Sequence, residues 1–472
     1  MNKEISALEQ NHTWTITSLP PEKKAVDCKW VFKVKHHSDG KVERYKARLV
    51  AKGFTQVEGI DYHDTFAPVV KMTSVRCVLA VAAARGWPLF QLDVNNAFLH
   101  GVLNEDVYMK LPPGFYSQAR QNGQVCKLQR SIYGLKQASR QWFARFRDAL
   151  IEFGFVQSLN DYSLFTLKMQ DEFLILLVYV DDVVITGTSP RIIDKVKLFI
   201  HDKFQIKDLG LLKYFLGLEV ARSKEGIFLN QRKYALDMLA GYNFLECKPM
   251  KTSMESKHNL GLSTAPLIPD AAVYRRLVGR LIYLTITRPD LAFPVHVLIQ
   301  FMQAPTEDYL KATHRVLRYI KMAPAQGLMF SSANDLRLVA FCDADWASCP
   351  VTRRSVTGYC MLPGKSLISW KTKKQVVVAR SSAESEYRAL AGACGEALWL
   401  VRLLADLGIP TANPVLAYCD NQAALHIARN PVFHERTKHV EIDCHFVRHH
   451  VNNGFLSPTS ISTADQPADL FT

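Results

Sequence analysis

Two adjacent aspartates, Asp181 and Asp182, stand between the apolar flanks of EFLILLVYVDDVVIT, residues 172–186. Burial of either flank makes this an expensive place for two negative charges. Neighbouring carboxylates repel unless positive charge lies beside them, and a divalent cation is the simplest such partner. A solvated Asp-Asp turn is the plain alternative. Asp93 shifts the balance, because it closes a second apolar strand, FQLDV, and is followed by Val94, Asn95 and Asn96. An acid at the end of one strand and an acid pair on a hairpin can converge on two Mg²⁺ ions. Two metals about 4 Å apart are an arrangement suited to displacement at phosphorus. Upstream, residues 28–35 and 42–51 read as the strands of a basic hairpin around an Asp39-Gly40 turn. Lys46 and Arg48 on its second strand suit a triphosphate.

The last third of the chain holds a second set of acids. Asp343 ends a strand in LVAFCDADWA, Glu384 lies at a helix start in RSSAESEYRAL, and Asp420 ends a strand in VLAYCDNQAAL. Asp469 lies in DQPADLFT. Strands alternating with helices can gather such acids at the carboxyl end of a sheet. Four carboxylates around two Mg²⁺ ions suit hydrolysis of a phosphodiester. Asp345 rivals Asp343, and Glu441 and Asp443 rival Asp469. Ser381 or Ser382 is placed to cap the helix that carries Glu384.

The elements that must hold these groups can be read coarsely. A helix is expected over residues 75–85, a buried strand over 88–94, a long helix over 130–154 and a hairpin over 172–186. Residues 253–270 read as a linker and 274–323 as basic helices. From Leu336 onward strands alternate with helices. With 472 residues, 48% apolar and 22% charged, the composition is that of a globular chain of about three domains. The surplus of 58 Lys and Arg over 44 Asp and Glu gives +14 and points to a polyanionic partner. Ten cysteines lack the paired spacing of a zinc finger, and free thiols in a reducing compartment are expected. The N-terminus has no apolar signal core, and residues 173–180 are far short of the roughly 20 a membrane span needs.

The segments resemble the reverse transcriptase of copia-type LTR retrotransposons. The matching runs are KWVFKVK (29–35), RYKARLVAKGFTQ (44–56), FAPVVK (66–71), QLDVNNAFLHG (91–101) and VYMKLPPGF (107–115). They continue with SIYGLKQASRQWF (131–143), LLVYVDDVVITG (176–187) and FQIKDLGLLKYFLGLEV (204–220). The resemblance implies catalytic roles for Asp93, Asp181 and Asp182, with metal held at these acids and at Val94. It implies substrate-binding roles for Lys46, Arg48, Phe98, Gly134 and Gln137. Phe98 falls where an aromatic ring abuts the sugar and excludes a ribose hydroxyl. Lys207 or Lys213 is a candidate proton donor to the leaving pyrophosphate. Many relatives have proline where this chain has Ser139.

Residues 274–279, 283–290 and 311–321 resemble the family's connection, and their basic helices suit a nucleic-acid backbone. The region from Leu336 resembles the ribonuclease H domain that follows copia-type polymerases. That likeness implies catalysis and metal binding by Asp343, Glu384 and Asp420, with Asp469 as a fourth catalytic acid. His439 is a candidate for product release or water positioning. The sequence shows no protease or integrase signature, and it stops within what resembles the last helix of the ribonuclease H domain. A helix of barely one turn is expected to hold Asp469 weakly.

These readings converge on an α+β and α/β multidomain chain. A right-hand polymerase with fingers, palm and start of thumb spans residues 1–252. A linker with thumb and connection spans 253–335, and a ribonuclease H-like α/β domain spans 336–472. The expected activity is RNA-directed DNA synthesis with cleavage of RNA in RNA/DNA hybrids, serving retrotransposon replication. The expected cofactor is Mg²⁺, two per site, with Mn²⁺ as a substitute. Expected partners are an RNA template, a DNA primer, the RNA/DNA hybrid and dNTPs, and no membrane. The family implies a virus-like particle in the cytoplasm, with a nuclear phase. The rival reading is a genomic remnant that binds nucleic acid and catalyses nothing.

Overall fold

A computed structural model describes residues 1–36, 41–255, 260–410, 414–430 and 440–472. The Asp39-Gly40 turn and His439 lie outside these residues. The chain divides into two compact units, residues 1–70 with 89–211 and residues 71–88 with 212–472. Helix α1 (Asn2–Gln10) opens the first. Helix α2 (Met72–Ala84), early in the chain, belongs to the second.

In the first unit, β1 (Cys28–His36) and β2 (Val42–Ala51) pair antiparallel as the basic ribbon. The alternation divides its side chains. Val31 and Lys33 share one face with Lys46 and Arg48, while Trp30 and Phe32 share the other with Ala47 and Leu49. The main sheet has six strands. Its centre is β3 (Leu89–Val94), β4 (Glu172–Tyr179) and β5 (Asp182–Gly187), with β5 between the other two. β6 (Ile206–Leu211) adds on the far side of β3. Leu174 to Val178 are at most 1% exposed, which is why β4 reads as an unbroken apolar run.

Helix α3 (Ala138–Phe153) buries Trp142, Phe146, Ala149 and Leu150 at helical spacing against the sheet's core. The expected helix over 130–154 therefore starts late. Gly134, at φ +92°, lets the loop before α3 press on β2: a Cβ there would lie 2.1 Å from the Ala51 carbonyl oxygen.

The second unit contains a helical part and an α/β part. In the helical part, α5 (Ala271–Leu284), α6 (Ala292–Ile299) and α7 (Glu307–Met322) bury one apolar cluster around Tyr274, Leu281, Val316 and Ile320. (Helix α4, Pro190–Phe204, lies in the first unit.) The α/β part is built on β7 (Leu338–Asp345), β8 (Val356–Pro363), β9 (Ser369–Lys374), β10 (Val415–Cys419) and β11 (Leu456–Ser460). Their order across the sheet is β9-β8-β7-β10-β11. The first three run antiparallel to one another, and β10 and β11 run parallel to β7. Helices α8 (Ser382–Asp406), α9 (Gln422–Arg429) and α10 (Glu441–Asn452) complete a ribonuclease H-like α/β domain.

Arg76 of α2 is buried in this unit. It donates to the carbonyls of Ile368 and Ile286 and lies 4.0 Å from the centre of the Trp370 ring. Burial pushes its guanidinium down to about 10.

Candidate active sites

Strand register assembles the first site. β5 pairs with β3 so that Asp182 lies directly opposite Asp93. Asp181 precedes β5 in the turn, and its carbonyl accepts from the Val94 N–H at 2.9 Å. All three acids are half-buried. Burial pushes the Asp182 carboxyl up, the Gln91 amide at 3.2 Å draws it down, and Asp181 and Asp93 push it up again. On the other side of β3, Lys207 of β6 is opposite Asp93, on the same face of the sheet. Lys213 lies in the second unit.

The other expected residues of this site take different places. Arg48 stacks 4.0 Å from the centre of the Tyr133 ring, and Phe98 meets the same ring edge-on at 5.2 Å. Burial pushes the Tyr133 hydroxyl up to about 12, with Asp181 and Asp93 adding to the rise. Arg48, Tyr133 and Phe98 thus form a stack close to the acids. Glu4 of α1 is the acid that Arg48 and Lys46 face, a neighbour that sequence spacing gave no reason to name. Gln137 corrects the expectation of a substrate contact. It is fully buried, its Oε1 accepts from Gln56 at 3.1 Å, and its Nε2 donates to the Asp61 carbonyl at 3.0 Å. Both ends of its amide are consumed inside the protein.

The second site needs one replacement among its acids. Asp343 on β7 and Asp420, just after β10, sit where these parallel neighbours end. The glutamate that joins them is Glu386, not Glu384. Its Oε1 accepts from the Ala344 N–H at 3.2 Å. Glu386, Cys419 and Asp420 each offer a ligand atom within 4.8 Å of the others. Burial, Cys419, Asp343 and Asp420, in that order, push the Glu386 carboxyl up to about 10.

Glu384 is two positions earlier, about 200° around the helix, and so faces another way. It is the reciprocal partner of a helix cap. Ser381 Oγ accepts from the Glu384 N–H at 3.2 Å, and Glu384 Oε2 accepts from the Arg380 N–H at 2.8 Å. Its other oxygen pairs with Arg388 at 3.0 Å. The Ser-x-x-Glu spacing is the signal that separates this capping residue from the acid two places on, which is equally buried.

Asp469 joins the set. Burial, then Asp343 and Asp420, push it up to about 6. The short turn that carries it, Pro467–Phe471, is better held than its length suggests. Ala468 and Phe471 are buried, and Gln466 donates to the Cys342 carbonyl at 3.0 Å. Asp343 also accepts from the Thr472 hydroxyl. Asp443 instead faces Arg388 at 3.7 Å, and Glu441 shares its first turn of α10. Asp345 is exposed, one strand position beyond Ala344.

Both acid sets suit hard divalent cations. Carboxylate oxygens are the donors such ions take, and carboxylates crowded against one another have most to gain from a nearby double charge. In the first site the donors are Asp93, Asp181 and Asp182, with Val94 able to offer only its carbonyl. In the second they are Asp343, Glu386, Asp420 and Asp469. The thiol of Cys419 is a soft donor and matches such a cation poorly.

A family model described as "Reverse transcriptase (RNA-dependent DNA polymerase)" matches residues 11–256. The chain belongs to the reverse transcriptase family. It is 46% identical over 473 residues to the retrovirus-related Pol polyprotein from transposon RE1 of Arabidopsis thaliana, covering 100% of this chain and 32% of that protein. Against the Pol polyprotein from transposon TNT 1-94 of Nicotiana tabacum the identity is 37% over 482 residues, covering 100% and 36%. These matches place it with the copia-type Pol polyproteins, and it spans about a third of the length of either relative. Among solved structures, the foamy viral protease-reverse transcriptase in complex with RNA/DNA hybrid aligns with a TM-score of 0.51 at 13% identity. That alignment covers 97% of this chain and 52% of the other, and shows likeness of fold. No helix among the described residues is long and apolar enough to cross a membrane.

Proposed function

We propose that the chain is an RNA-directed DNA polymerase that also cleaves the RNA strand of RNA/DNA hybrids, serving retrotransposon replication. The observation that carries the reading is the pairing of Asp182 against Asp93, with Asp181 beside them, in a chain of the reverse transcriptase family. Divalent cations at each acid set, Mg²⁺ by preference, would supply Lewis-acid activation of the attacking oxygen and neutralise charge growing on the phosphate.

The chain's own residues do the rest. Asp93, Asp181 and Asp182 fix where the cations and the primer end meet. Lys46 and Arg48 receive the triphosphate of an incoming dNTP. Phe98, braced by Tyr133, stands against the sugar and disfavours a 2′-hydroxyl. Lys207, opposite Asp93 on the neighbouring strand, is positioned to give a proton to the leaving pyrophosphate. In the second site Asp343, Glu386, Asp420 and Asp469 would hold the cations that bind the hybrid's RNA phosphate and present it to water. The RNA/DNA hybrid named in the foamy viral structure is the partner this reading assigns to the chain.

The test is primer extension on an end-labelled RNA template with dNTPs and Mg²⁺, next to an Asp181→Asn/Asp182→Asn variant. Extension lost in the variant, with RNA cleavage retained, is the expected result. Hybrid binding without extension under Mg²⁺ or Mn²⁺ would sink the reading and leave a remnant that only holds nucleic acid.

A further inference from the structure

We propose that Trp142 is a positioning residue for the carboxylate turn of the first site. Its indole N–H holds Val180 in a backbone conformation that valine avoids. The inference rests on the polymerase reading for its kinetic consequences, but not for its structural ones.

Val180 separates Tyr179, the last residue of β4, from Asp181. Its φ is +55°, in the left-handed region. A β-branched residue is rare there, because its two γ groups crowd the backbone, so the conformation persists only where the surroundings enforce it. The surroundings are specific. The Trp142 indole donates to the Val180 carbonyl at 2.7 Å. Trp142 is 1% exposed and is wedged against Phe146 at 5.1 Å, Phe204 at 5.3 Å and His100 at 5.8 Å between ring centres. The donor has no room to swing away.

The next carbonyl, that of Asp181, accepts from the Val94 N–H. Two successive carbonyls of the turn are therefore held from two elements, α3 and β3. The carboxylates of Asp181 and Asp182 project from the backbone that these bonds define. The Tyr179–Asp182 pairing leaves a two-residue turn, a geometry that takes positive φ at its first residue, and the indole bond fixes the peptide that follows it; without that bond the strained residue 180 is free to relax. The turn would then rotate, and both carboxylates would point elsewhere. Trp142 touches no substrate in this account and acts only through Val180.

The experiment uses the full chain. Trp142→Phe keeps the aromatic packing and removes the donor. Val180→Gly removes the side-chain cost of positive φ. Mn²⁺ affinity is read by electron paramagnetic resonance without nucleic acid, in an Asp343→Asn/Asp420→Asn background that silences the other acid set. Primer extension gives kcat and the KM for dNTP. Trp142→Phe is expected to weaken Mn²⁺ binding and lower kcat about tenfold each, with KM nearly unchanged. In the Val180→Gly background the same Trp142→Phe change is expected to do little. Unchanged Mn²⁺ affinity in Trp142→Phe, or an equal loss in both backgrounds, overturns the proposal. Should Trp142→Phe loosen the core, the comparison is made on thermal midpoints: a smaller drop in the Val180→Gly background supports the clamp, and equal drops refute it. A wild-type chain that extends no primer yet shows the Mn²⁺ pattern would remove the polymerase reading and leave this inference standing.

Discussion

The two acid sets differ in what holds them and in what opposes their charge. In the first unit two aspartates lie on adjacent antiparallel strands and a third in the hairpin turn, all half-exposed, with Lys207 opposite Asp93. In the second, four acids come from two strands, a helix and the Pro467–Phe471 turn, and Glu386 is pushed up to about 10. The nearby cation there, Arg388, is tied to Glu384 and Asp443. The first set has a lysine at the neighbouring strand position and an amide hydrogen bond to Asp182, whereas Glu386 of the second is raised by burial and by its acid neighbours. A site on one hairpin is fixed by local register. A site drawn from dispersed elements is fixed only by the packed domain.

The comparison is broken most sharply by single acids. Asp182→Asn is expected to cut primer extension about 1,000-fold and leave hybrid cleavage intact, and Asp343→Asn to do the reverse. Both are read on one labelled primer–template. If either variant abolishes both reactions, the sites are not separate.

A second pair of variants sharpens the assignment within the α/β domain. Glu386→Gln is expected to abolish cleavage while the fold survives, since the neutral amide resembles the protonated acid. Glu384→Gln should retain most cleavage. Equal losses in the two variants would refute the capping role of Glu384.

A third expectation concerns pH in the absence of divalent metal. An acid whose folded pKa is raised holds its proton more tightly when folded, so stability is full below the unfolded value and falls as pH rises towards the folded one. For Glu386 that window runs from about 4.5 upward to about 10, and for Asp469 from 3.8 to about 6. The thermal midpoint of the metal-free chain should therefore fall from pH 5 to pH 9. Mg²⁺ should restore it most at the alkaline end, and Glu386→Gln should flatten the slope. A midpoint that rises over this range contradicts the burial argument.

The smallest effect is expected from Ser381→Ala, which removes the cap of α8 and costs about 1 kcal/mol. It should appear as a modest drop in denaturant midpoint with both activities retained.

How far these sites could be read from sequence follows from the same contrast. The nearness of Asp93, Asp181 and Asp182 was legible because a strand end and a hairpin tip carry them. Asp343 and Asp420 were legible as strand ends. Glu386 was less so: two buried glutamates stand two residues apart, the Ser-x-x-Glu spacing marks only Glu384 as the capping one, and the packing of α8 on β7 is what brings Glu386 to Asp343 and Asp420. Gln137 looked like a substrate contact because it is polar and lies in a motif, and only the fold reveals that Gln56 and Asp61 consume it. The late start of α3 followed from the positive φ of Gly134. The membership of α2 in the second unit depends on contacts across hundreds of residues, which no local pattern encodes.

That last feature has a cost in time during synthesis. Arg76 and the Ile368 carbonyl it binds are 292 residues apart. At about 5–20 residues per second, a ribosome needs about 15–60 s to make the partner after α2 has emerged. All residues from Ser74 to Ala83 are buried in the finished fold, and the rest of the unit that covers this helix begins only at Leu212. Slower translation lengthens the exposure of nascent α2 in direct proportion.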